Sequence, residues 1–213
     1  MNSENRNMLS RRQWMAWLGL APWVANTAWA SEESPDALIK RIFNDIMTAI
    51  NNDAAIQKGN VQRVMDLVNN QIMPHVNFQR MTASAVGRYW RGATPDQQQR
   101  LQAEFKTLLV RTYAGALGEL KGQTFQFRPS RAKPTDTEVV VRSEVRGRGE
   151  PIQLDYRLEK TPQGWKVYDL NVLGVWLGET YRTQFAQEIT KNGVDGLITF
   201  LAQRNQSNAA ASK

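Results

Sequence analysis

Cysteine is absent from the 213 residues. That excludes disulfides, thiol catalysis and the acylated cysteine that tethers exported lipoproteins. Histidine occurs once, as His75 directly after Met73-Pro74 at a helix end, a place where a cap or surface residue is the ordinary reading. Metal sites need clustered His, Cys or carboxylate ligands, and the chain offers no such spacing. GxSxG, Walker A and GxGxxG motifs are also missing, so no nucleotide-driven step is encoded in this chain. Low-complexity segments and internal repeats are lacking too.

Long apolar runs are equally scarce, and the one short run, WMAWLGLAPWVA, lies within the first thirty residues. It follows MNSENRNMLSRR and precedes NTAWA/S, an Ala-x-Ala cleavage pattern. The run is too short for a membrane span and Pro22 interrupts it. Residues 1–30 therefore read as a cleaved signal peptide, with Arg11-Arg12 fitting either a twin-arginine signature or an ordinary positive n-region. Cleavage leaves 31–206 as a single domain and 207–213, SNAAASK, as a disordered tail, in an oxidising compartment such as a periplasm. The whole chain carries +7; Arg6, Arg11 and Arg12 against Glu4 account for +2 in the leader, leaving +5. These basic residues are scattered, which describes a solvated surface. Nucleic acid is not an expected partner.

Beyond the leader the order is helices, strands, helices. Leu38, Ile42, Ile46 and Ile50 recur at spacing four after Ser34-Pro35-Asp36. Helical patterns follow at about 61–72 and 78–85. Thr94-Pro95-Asp96 opens the most regular helix, whose wide apolar face holds Leu101, Phe105, Leu108, Leu109, Thr112, Tyr113, Ala116 and Leu117. Four strands are predicted at 124–128, 138–146, 152–160 and 166–173. Val139, Val141, Ser143 and Val145 share one face, as do Ile152, Leu154, Tyr156 and Leu158. Pairing Val145 with Ile152 sets Arg142 opposite Asp155. Across the next turn, Lys160 with Lys166 rather than Trp165 sets Tyr168, Leu170 and Val172 against Leu158, Tyr156 and Leu154, and Asp169 against Arg157. Two helical stripes close the chain, Tyr181, Phe185 and Ile189, then Leu197, Ile198 and Leu201, parted at Asn192-Gly193. The fold class is α+β: helices cover one face of a curved antiparallel sheet.

A cone of this kind suits isomerase chemistry when a carboxylate and a tyrosine meet inside it, and Tyr113, Tyr156 and Tyr168 are the tyrosines at hand. Yet Glu144, Asp155, Glu159 and Asp169 all fall on outward positions. A cavity without an acid or base is a container.

The segments VGRYWRGATPDQQQRLQAEF (Val86–Phe105), LLVRTYAGAL (Leu108–Leu117), WKVYDLNVLGV (Trp165–Val175), YRTQF (Tyr181–Phe185) and GVDGLITFL (Gly193–Leu201) resemble the MlaC, or toluene-tolerance auxiliary, family, in the family's order. Asn77-Phe78 stands where an Asp-Phe pair is common in that family, and Trp176 where a small residue is usual. The resemblance implies an NTF2-like fold enclosing an apolar cavity, and a periplasmic carrier that holds a glycerophospholipid as cargo. It implies exchange with an inner-membrane ABC transporter complex and an outer-membrane lipoprotein complex, no cofactor, no catalysis and a monomeric state. A lipid-free adaptor and an NTF2-like enzyme are the alternatives.

If acyl chains are the cargo, the inward faces name the pocket: Phe105, Leu108, Leu109, Tyr113 and Leu117 from the long helix, and Phe125 and Phe127 from the first strand. Val141, Tyr156, Leu170 and Val172 come from the other strands, Val175 and Trp176 from the turn, and Tyr181 and Phe185 from the next helix. Arg111 and Arg182 are the candidate headgroup or partner contacts. Gly174 and Gly178 bracket three apolar residues and suggest a movable lip.

Overall fold

Oxygen-bearing caps set the helix starts. Ser34 accepts from the Ala37 amide and Pro35 follows, opening α1 (Pro35–Asn52). Asp53 caps α2 (Ala54–Gln57) and Asn60 caps α3 (Val61–Leu67). Asn77 caps α4 (Phe78–Val86). Thr94 and Gln97 form a reciprocal capping box at the start of α5 (Pro95–Gly118). Between α3 and α4 the chain widens into a π-helical turn, Val68–Ile72, and then tightens over Met73–His75. The computed structural model describes residues 33–130, 132–133, 135–147 and 149–211. The signal peptide expected over 1–30 lies outside them.

The strands are β1 (Thr124–Arg128), β2 (Glu138–Arg146), β3 (Ile152–Thr161), β4 (Gly164–Val172) and β5 (Val175–Trp176), in the antiparallel order β1-β2-β3-β4-β5. Five strands replace the four expected, because Leu173-Gly174 forms a two-residue hairpin with positive φ at both positions (53° and 90°). That geometry lets Val172 pair with Val175. Val145 does face Ile152, and Arg142 does face Asp155.

The β3–β4 register differs from the single one expected. Tyr156 pairs with Leu170 and Arg157 with Asp169, but Leu158 pairs with Val167 and Lys160 with Trp165. A bulge at Arg157/Leu158 joins the two registers. The insertion of one residue, Tyr168, reverses the alternation, so Trp165 and Val167 point inward on one side of it and Leu170 and Val172 on the other. The sheet's inner face is thereby split. One half, with Val141, Leu158, Trp165 and Val167, packs on Leu38 and Ile39 of α1. The other half is left for different helices.

Helix α6 (Leu177–Ala211) breaks at Gly193 (φ 71°), as the Asn192-Gly193 signal suggested. Both arms bury against α4 and α5 through Phe105, Leu108, Phe185, Ile189, Leu197, Ile198 and Leu201. The tail expected to be frayed from 207 is helical to Ala211, in keeping with the helix propensity of its alanines.

Candidate functional site

On the half of the sheet that α1 leaves uncovered lies a cavity of about 460 Å³. Its walls come from every layer. Val64, Val68 and Ile72 belong to α3 and the π-helical turn, Met73 and Val76 to the connection, Phe78 and Met81 to α4. Leu109, Val110, Tyr113, Ala114, Ala116, Leu117 and Leu120 belong to the second half of α5 and the turn after it. Val145, Ile152, Leu154, Leu170 and Val172 are the sheet's contribution, with Leu173 and Leu177 beyond it. Among the described residues, every lining side chain apart from Lys106 and Tyr113 is apolar. Such a volume is ordinary for a ligand site, but so uniform a lining has almost nothing to offer a polar ligand.

The wide apolar stripe of α5 turns out to serve two neighbours. Leu109, Tyr113 and Leu117 face the cavity, whereas Phe105 and Leu108 face α4 and α6. Phe105 sits 5.9 Å from Phe78, 5.0 Å from Tyr181 and 5.3 Å from Phe185, ring centre to ring centre, in a filled aromatic cluster. Of the expected pocket residues, then, Leu109, Tyr113, Leu117, Leu170 and Val172 line the cavity; Phe105, Leu108, Tyr181 and Phe185 do not. Phe125 and Phe127 pack on Phe43 of α1. Val141 and Tyr156 lie on the α1 half of the sheet, where burial pushes the Tyr156 phenol up to about 12.

The turn residues also depart from expectation. Val175 is exposed, and Trp176 lies on the outer face with the Arg157 guanidinium 3.8 Å from its ring centre. Arg182 reaches the Ser84 carbonyl and lines a separate surface cleft with Arg88, Tyr89 and Lys191. Arg111 is half-buried on α5 and does not line the cavity; its Nε is buried without a hydrogen-bond partner among the described residues. The lining residues that sequence reasoning missed include the whole α3–α4 region, together with Lys106 of α5, Val145, Ile152 and Leu154 of the sheet, and Leu177. Val64, Val68 and Ile72 share a helical face, a signal that was legible, but periodicity does not say what a face meets.

Hydrogen bonds tie down the lip between sheet and α6. Asp169 Oδ1 accepts from the amides of Gly178 (3.1 Å) and Leu170 (3.0 Å), and Asn171 Oδ1 from Gly174 (2.8 Å). Asp169 Oδ2 pairs with Arg157 at 3.2 Å. Burial nonetheless raises the Asp169 carboxyl above its ordinary range, against these donors. At the other end of β4, Arg80 of α4 joins Glu159 (2.5 Å) and Glu138 (2.6 Å) and lies 3.6 Å over the Tyr168 ring, the bulged residue. The partners Glu138 and Glu159 oppose each other in the sheet, so this guanidinium neutralises a like-charge pair. Asn77 donates to Glu159 Oε1 at 2.6 Å while its own Oδ1 caps α4. An aspartate could cap but not donate.

Residues 40–203 match the protein family described as MlaC protein. Toluene tolerance protein ttg2D of Pseudomonas putida is 27% identical over 164 residues, 76% of each chain. The intermembrane phospholipid transport system binding protein MlaC of Haemophilus influenzae is 23% identical over 203 residues, 92% of this chain and 95% of that one. A solved phospholipid-binding protein from Ralstonia solanacearum, in complex with a phospholipid, superposes with a TM-score of 0.79 at 50% identity. It covers 82% of this chain and 98% of its own.

Proposed function

The chain belongs to the MlaC family, and we propose that it is a periplasmic carrier whose 460 Å³ cavity holds the acyl chains of a glycerophospholipid. The observation that carries this reading is the lining: only Lys106 and Tyr113 interrupt an apolar wall drawn from helices and sheet alike. Two similar proteins, one named for phospholipid transport and one solved with phospholipid bound, support it. Burial of an acyl chain contributes about 0.8 kcal/mol per CH₂, so the hydrophobic effect alone accounts for tight retention. The pocket residues are then Leu109, Tyr113, Leu117, Leu170 and Val172, joined by Val68, Ile72, Met81, Leu154 and Leu177. We read the curved sheet and its covering helices as NTF2-like.

The carrier exchanges its cargo with an inner-membrane ABC transporter complex and an outer-membrane lipoprotein complex, in the service of outer-membrane lipid asymmetry. With no nucleotide motif in the sequence, unloading depends on a partner with differential affinity for the loaded and unloaded forms. The isomerase alternative needs tyrosine and carboxylate to converge, and here the tyrosines disperse. Tyr113 reaches the cavity, Tyr156 lies towards α1, and Tyr168 lies under Arg80.

Organic extraction and mass spectrometry of the protein purified from its native compartment should recover phospholipid at about one molecule per chain. Recovery of none, or of a small polar compound instead, overturns the carrier assignment.

A further inference from the structure

One charged side chain breaks the apolar lining. Lys106 lies on α5 one turn before Leu109, on the stripe that continues through Tyr113 and Leu117. Its Nζ donates to Oδ1 of Asn69 at 2.9 Å. Asn69 belongs to the π-helical turn Val68–Ile72, whose flanking residues Val68 and Ile72 also line the cavity. This hydrogen bond sets the ammonium beside the wall of the cavity. π-Helical turns recur at functional sites because the extra residue re-aims side chains. Among the described residues no carboxylate pairs with Lys106; its side-chain partner is the Asn69 amide oxygen. An ammonium has three donors, and Asn69 takes one.

The contact with Asn69 lies in an exposed setting, which puts the charge at the solvent end of the cavity. From Lys106 to Leu117 the helix rises about 16 Å, at 1.5 Å per residue, with apolar side chains on the same face. One end thus presents a cation with donors to spare, and the rest presents hydrocarbon. That is the polarity of an anionic amphiphile. Neither Arg111 nor Arg182 offers this, since neither lines the cavity.

We propose that Lys106, positioned by Asn69, is the headgroup contact of this cavity and receives the phosphate of the bound lipid. The proposal rests on the carrier reading and adds to it the residue that distinguishes a phosphate-bearing lipid from one with the same tails and none. A phosphate can come from a lipid or from free inorganic phosphate, and the two sources are separable by experiment.

The test measures equilibrium binding of dioleoyl phosphatidylglycerol and of dioleoylglycerol, both presented in the same nonionic micelles. Wild type is compared with Lys106→Glu, Lys106→Gln, Lys106→Arg and Asn69→Ala, each checked for an unchanged thermal transition. Wild type should prefer the phospholipid, and Lys106→Glu should lose about tenfold to a hundredfold in phospholipid affinity with diacylglycerol binding unchanged. Lys106→Gln should show a smaller loss, as should Asn69→Ala, and Lys106→Arg should retain the preference. Millimolar inorganic phosphate should not displace the lipid. Displacement by inorganic phosphate, or equal changes for both lipids in Lys106→Glu, overturns the headgroup contact while leaving the carrier reading intact. Wild type that binds neither lipid overturns both.

Discussion

At the scale of single residues, His75 offers the most direct check because it is the sole imidazole in the chain. Its Nε2 lies 3.4 Å from Arg41 Nη1, and Lys166 reaches the neighbouring Pro74 carbonyl. Burial first, then the positive charges of Arg41 and Lys166, lower its pKa from the ordinary 6.5, with Glu33 and Asp45 opposing weakly. The folded state thus favours neutral imidazole. Its contribution to stability is present above pH 6.5 and is lost as pH falls through the lower folded value. The single Hε1 resonance should titrate with a midpoint below 6.5, and His75→Gln should flatten the pH dependence of Tm in that window. A midpoint at or above 6.5 would contradict the arrangement of Arg41, His75 and Lys166. The carboxylates held low by guanidinium partners, such as Glu138 beside Arg80, contribute stability that is present above about pH 4.5 and is lost as pH falls below it.

At the scale of elements, close approach matters more than propensity. Gly118 ends α5 against α2, where a Cβ would stand 2.2 Å from the Gln57 carbonyl oxygen. Alanine in place of glycine ordinarily gains about 1 kcal/mol in a helix. Forcing backbone apart in a packed contact costs about 1–3 kcal/mol. The clash should win: Gly118→Ala is expected to lower stability by about 1–2 kcal/mol in urea unfolding, and a gain would show that α2 can yield. The hairpin Leu173-Gly174 presents a related case, since a leucine at φ 53° is strained. Leu173 is 64% exposed and still borders the cavity, so the fold tolerates this strain at the mouth and not in the core.

For the molecule as a whole, the cavity dominates the energetics. Apolar space left unfilled forfeits about 24 cal/mol per Å³, so 460 Å³ corresponds to roughly 10 kcal/mol. That is comparable with the whole stability of a domain, about 5–15 kcal/mol. Cargo should therefore act as part of the core. Stripping lipid under mild conditions should lower Tm by about 10 °C or more, and readdition of phospholipid should restore it. An unchanged Tm would mean that the walls close on themselves without cargo.

Much of the architecture was legible in the residues before any coordinates. The caps at Ser34 and Thr94, the break at Gly193, the alternation of β2 and β3 and the pairings Val145–Ile152 and Arg157–Asp169 are local or nearest-neighbour features, and local chemistry determines them. Two things were decided only in three dimensions. Alternation favoured a single β3–β4 register, Lys160 with Lys166, and a bulge at Tyr168 keeps it only in the Tyr156–Leu170 half, the other half pairing Lys160 with Trp165. The stripe on α5 shows that Phe105 and Tyr113 are both buried-type positions, but which one meets a filled core and which a cavity depends on where α6, α3 and α1 come to rest. Periodicity records that a face avoids water. Whether that face closes on other side chains or encloses space is a property of the packing of several elements at once.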